Sequence, residues 1–98
     1  MATRNGFLRF GIRLCSALGG QYQPKVVPDG VGGVIATWQD RRNFDYDVYA
    51  QRIDGNGTVL WAANGVSVAT NSGTQDSPSI VTDGTGHAFV GYLDWGSG

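Results

Sequence analysis

Apolar positions along this chain fall in short β-branched runs separated by glycine-rich breaks. Lys25-Val26-Val27 is one such run, and Asp29-Gly30-Val31-Gly32-Gly33 follows it. Asp-Gly with further glycines supplies positive-φ backbone at little steric cost, which a tight hairpin needs. Val34-Ile35-Ala36-Thr37-Trp38 then reads as a returning strand, and the polar stretch 39–46 as a loop. Residues 47–53 alternate at period two, the mark of a strand with one face more buried. Asp54-Gly55-Asn56-Gly57 is a second hairpin turn, and Thr58-Val59-Leu60-Trp61 reads as the fourth strand. Turns this short leave no room for crossovers, so the order is antiparallel.

The pattern recurs. Shifted by 54 positions, residues 11–41 align without a gap on residues 65–95, with nine identities in 31 pairs. The identities include Gly19 on Gly73, Gln21 on Gln75, Pro24 on Pro78, Asp29-Gly30 on Asp83-Gly84 and Asp40 on Asp94. Most other strand positions exchange one apolar residue for another, so the repeat reads as a structural unit. Residues 1–23 then hold the last strand of a preceding unit, around 7–15. Residues 24–77 make one complete unit, and residues 78–98 the first two strands of the next.

Composition agrees with a turn-rich all-β chain. Glycine supplies 16 of the 98 residues, well above the usual roughly 7%. A formal net charge of -1 argues against a nucleic-acid binder relying on phosphate contacts. The single cysteine, Cys15, forms no internal disulfide, and its alignment with Ala69 favours a small packed residue over a nucleophile. His87, the only histidine, has no triad partner at a meaningful spacing, and no Cys/His cluster has metal-ligand spacing. No apolar run reaches the length of a membrane span. Arg9 and Arg13 interrupt any apolar core near the N-terminus, so no signal peptide is expected here; if the mature protein is extracellular, its export signal belongs to a longer parent chain.

The pattern Pro24, Asp29-Gly30, Gly32-Gly33, Trp38, Asp40, Arg42, then Asp47-Val48-Tyr49-Ala50-Gln51-Arg52, Asp54, Gly57, Trp61 and Asn64-Gly65-Val66 resembles bacterial secreted repeat proteins of the β-propeller type. The resemblance covers the chain from about Gly11 onward and implies antiparallel four-stranded blades and an extracellular or cell-surface location. It implies no particular activity. The second unit departs from the pattern at His87, Tyr92 and Trp95-Gly96. The turn at Asp54 is similar to the Asp-box of sialidase propellers, but its spacing differs, and no sialidase activity is carried over.

A propeller closes with roughly four to eight blades, so the expectation is an incomplete propeller. Three arrangements satisfy the need to cover edges: a piece of a larger protein, a ring of several copies, or a compact two-layer β arrangement. The expected partners are accordingly other blades of a parent chain or further copies of this one.

In an up-and-down sheet the two Asp-Gly turns share one end, and segments 39–46 and 71–77 share the other. The second end, with Asp40, Arg41, Arg42, Asn43, Asp45 and Asp94 and with Trp95 nearby, is the candidate ligand surface. Each residue has a plainer reading. Asp40 and Asp94 pair with an arginine or cap a loop. Arg41 and Arg42 are solvated or ion-paired. Trp95 stacks on a sugar or is simply exposed. Asp29 and Asp83 each supply one carboxylate to a turn, short of the six or more oxygens calcium wants. The expected function is non-catalytic binding or scaffolding, with carbohydrate or protein as ligand and no metal or cofactor. The alternatives are part of a glycan-active propeller enzyme or a purely structural, self-associating module.

Overall fold

The computed structural model describes Cys15 and residues 17–70 and 72–95. The strand expected around 7–15 lies outside the described residues, apart from Cys15. Six strands and no helix make up the described chain: β1 (Gln21–Pro28), β2 (Val34–Asn43), β3 (Asp45–Ile53), β4 (Val66–Ala69), β5 (Gln75–Thr82) and β6 (Ala88–Asp94). The first four form one antiparallel sheet in the order β1-β2-β3-β4, and β5-β6 form a second. The described residues are therefore all-β, in two antiparallel sheets.

The three Asp-Gly turns are built alike. In each, the aspartate Oδ1 accepts from the backbone N–H groups two and four residues on. For Asp29 these are Val31 and Gly33, for Asp54 Asn56 and Thr58, and for Asp83 Thr85 and His87. The aspartate N–H in turn donates to the carbonyl four residues on, at 3.0, 2.9 and 3.2 Å. The side chain thus satisfies the donors that reversing the chain would orphan, which is why aspartate opens each turn.

The β1–β2 and β5–β6 hairpins correspond position by position. Gln21 pairs with Asp40 and Val26 with Ala36; 54 residues on, Gln75 pairs with Asp94 and Ile80 with Val90. Both ladders break at the same place, and the extra residue has positive φ in each, 54° at Gln23 and 55° at Ser77. A bulge of this kind re-aims the strand without ending it.

Two expectations are corrected. Segment 39–46 is not an open loop: β2 runs on to Asn43, β3 begins at Asp45, and the chain reverses at Phe44 with φ of 77°. Gln39 and Asp40 are buried there despite their polarity, whereas Arg41, Asn43 and Asp45 are exposed. Nor is residues 58–61 the fourth strand. Val59 makes a single bridge to Ile53, and the chain then leaves the sheet. The Gln51 side chain accounts for this, because its Oε1 accepts from Trp61 N and its Nε2 donates to Ala62 O at 2.7 Å. After a turn through Asn64 and Gly65, both at positive φ, β4 returns to pair with residues 48–50 of β3. Glycine is required at 65, since a Cβ there would lie 2.8 Å from the Trp38 ring.

The core lies on both faces of β2 and β3. One face carries Ile35, Thr37, Gln39, Val48 and Ala50, and β5 covers it. The other carries Ala36, Trp38, Asp40, Tyr49 and Gln51. Contacts across the sheets include Gln39 Nε2 to Gln75 O, Thr82 Oγ1 to Pro28 O and Gly86 N to Asp29 O.

Candidate ligand-binding site

The far end of β2 brings Asp40, Arg41 and Arg42 together. Asp40 is fully buried, and its carboxylate accepts from four nitrogen donors, Trp38 Nε1, Arg42 N and Arg42 Nε at 2.9 Å and Arg42 Nη2 at 2.7 Å, and from Cys15 Sγ at 4.0 Å. Burial pushes its pKa up, but the bonds from Arg42 and Trp38 outweigh this and hold it below the usual carboxylate range. Arg42 also donates to Asn64 O at 2.7 Å and Cys15 Sγ at 3.2 Å, and its guanidinium lies 3.8 Å above the Tyr49 ring. The bond to Asp40 raises the Arg42 pKa further. Asp40 and Arg42 thus form an internal clamp tying β2 to the 62–65 turn and Cys15, the arginine-pairing role expected of the aspartate.

Arg41 points elsewhere. It is exposed, donates from Nε to Phe44 O, and sits 5.5 Å from the centre of the Tyr46 ring, which Tyr22 meets edge-on. A surface pocket of about 440 Å³ opens here, lined by Leu18, Tyr22, Phe44, Arg41 and Arg42 around the backbone of Gly19 and Gly20. Leu18 and Phe44 are each 89% exposed. Glycine at 19 is enforced, since a Cβ would come 2.9 Å from Arg41 O and φ is 90°.

Asp94 and Trp95 lie at the end of β6, outside this pocket lining. Asp94 accepts from Gln75 Nε2 at 3.2 Å, and Trp95 donates from Nε1 to Asp76 Oδ2 while remaining exposed. The structure therefore groups Arg41 and Arg42 at one opening, buries Asp40 behind them and separates Asp94 and Trp95. The 43–45 turn does meet the segment after β4, through Gly73 N and Asp45 Oδ2.

Leu18, Tyr22 and Phe44 were not marked by the sequence. They come from two stretches about twenty positions apart, which only the β1–β2 pairing joins. Nearby, burial raises the Asp47 pKa; Asn43 opposes this through a hydrogen bond, while Asp45 and Asp40 reinforce it. Among the described residues no group of three or more His, Cys, Asp or Glu could hold a metal ion. At the opposite end, Asp29 binds Arg52 at 3.0 Å. The bonds from Val31, Gly33 and Arg52 lower its pKa against the effect of burial. Among the described residues no helix is long and apolar enough to cross a membrane.

The pocket can take a ligand with a flat or apolar face against Tyr22 and Phe44 and a polar or anionic group toward Arg41. No protein-family model, curated protein or solved structure matches this chain.

Proposed function

We infer that this chain is a non-catalytic β-sheet repeat module of the propeller-blade type, serving a binding or scaffold role at the cell surface or outside the cell. The observation that carries this is the correspondence of the two hairpins in register, bulge and backbone sign at a spacing of 54 residues. Two units so alike, stacked sheet on sheet, favour a rigid support carrying loops over a site assembled for chemistry.

The pocket beside Arg41 supplies the binding surface, and an acidic carbohydrate is the ligand class it fits best. Aromatic faces take the ring of the sugar and the guanidinium takes its carboxylate. A glycan array followed by NMR titration with uronic-acid oligosaccharides tests this. Shifts are expected at Tyr22, Arg41 and Phe44 in the wild type and are lost in Arg41→Ala. Absence of binding to every acidic glycan overturns the ligand assignment. Hydrolysis of an arrayed glycan, abolished by Asp40→Asn, overturns the non-catalytic reading.

A further inference from the structure

We propose that copies of this chain assemble head to tail, the outer face of the β5–β6 sheet of one copy receiving β1 of the next. This rests on the stacked-module reading above and names the partner of that module as a second copy.

The internal contact between the two sheets is the template. The face of β2 bearing Ile35, Thr37 and Gln39 is covered by β5, and Ile35 is 0% exposed. Moving 54 positions along, the same face of β6 bears Phe89, Gly91 and Leu93, beside Val81 of β5. That face is open: Phe89 is 67% exposed and Leu93 53%. Contiguous exposed apolar area of this kind marks an interaction surface.

The chain also carries the matching half. The side of β5 that packs on the first sheet presents Gln75, Pro78 and Ile80, all buried. Its equivalent on β1 presents Gln21, Pro24 and Val26, and Val26 is 56% exposed. One molecule thus holds an unused strand face at one end and an uncovered sheet face at the other, each the counterpart of a surface already mated inside it.

The turns carry an independent sign. A Cβ on Gly30 would lie 2.1 Å from Gly84 O, so the backbones of the two units touch there. Gly84, in the same turn one unit on, has nothing within 4 Å of that position. Docking a second copy places its Gly84-facing turn, at Gly30, in that space, and lets its Gly32 N donate to Asp83 O as Gly86 N donates to Asp29 O within one chain. Two internal bonds have no counterpart, because Pro28 stands for Thr82 and Leu93 for Gln39. The intermolecular contact is therefore more apolar than the internal one. Being heterologous, it leaves each added copy with a free face and builds a ring or an open stack.

Sedimentation velocity from about 1 to about 200 µM tests this, because mass action must populate a self-associating interface as concentration rises. The wild type is expected to pass from monomer to species larger than a dimer. Val26→Glu and Phe89→Glu, both at exposed positions, are each expected to stay monomeric with an unchanged circular dichroism spectrum. Mixed, they are expected to give a single 1:1 dimer, since one retains the sheet face and the other the strand face. A wild type that stays monomeric throughout overturns the proposal. So does association that Val26→Glu leaves intact, which would mean pairing through two Phe89 faces or along the β6 edge. The glycan titration at Arg41 reads a separate surface, so failure here and failure there are distinguishable.

Discussion

Replacing Asp40 with alanine removes the acceptor on which one face of the first sheet is built. The change strands the indole N–H of a buried Trp38 and withdraws the counter-charge from Arg42, whose side chain is only 18% exposed. Breaking a fully buried ion pair by deleting one partner costs roughly 3–5 kcal/mol. Arg42 keeps its bond to Asn64 O, its seat over Tyr49 and some access to water, which lowers the figure to about 3 kcal/mol. A domain of this length has a total stability of about 5–15 kcal/mol. With a urea m-value of about 1–3 kcal/mol/M, the midpoint should fall by at least about 1 M. Urea titrations followed by tryptophan fluorescence read this directly. Asp40→Asn keeps the shape and one good acceptor and should cost about half as much. It serves as the readout if the alanine variant does not fold. The double variant Asp40→Ala/Arg42→Met, which removes both charges, should recover part of the loss. Asp40→Ala within about 0.5 kcal/mol of wild type, with no recovery in the double variant, refutes the clamp.

Further expectations follow from the same geometry. Gly30→Ala forces a Cβ into the Gly84 carbonyl and should cost about 2 kcal/mol or more, whereas Gly84→Ala pays only for its left-handed backbone, about 1–2 kcal/mol; the two thermal denaturations, run dilute, should separate clearly. Asp47 has a raised pKa, so its ionised form costs stability as pH climbs from its unfolded value through its folded one. Asp47→Asn should therefore raise the melting temperature at pH 7 and have little effect in acid. The Asp83 pKa is lowered to about 2, chiefly by the Thr85 hydroxyl, so its contribution is full above its ordinary pKa and lost as pH falls toward 2. Thr85→Val should flatten that part of the pH–stability curve.

The sequence announced the hairpins because their signals are local. Asp-Gly pairs and positive-φ glycines fix the 29–33 and 83–87 turns, and alternation fixes the strands they join. The first sheet's far end was harder to read, since Gln39, Asp40 and Arg42 look like loop residues, yet Gln39 reaches Gln75 in the second sheet and Asp40 and Arg42 bond to each other along β2. The fourth strand was misplaced for a related reason. Thr58-Val59-Leu60-Trp61 has strand composition, yet the amide of Gln51, ten residues away in sequence, binds the chain at Trp61 and turns it out of the sheet. Arg41 was marked by its charge, while Tyr22, Leu18 and Phe44 become neighbours of it only once β1 lies beside β2.

One hairpin design is used twice in this chain, at positions 54 residues apart. Backbone NMR tests it most directly, by cross-strand NOEs together with the couplings that report the sign of φ. The expected result is pairing of Lys25 with Thr37 and of Ser79 with Gly91, with positive φ at both Gln23 and Ser77. A ladder in which Ser79 faces Val90 or Tyr92, with Ser77 at negative φ, would contradict it.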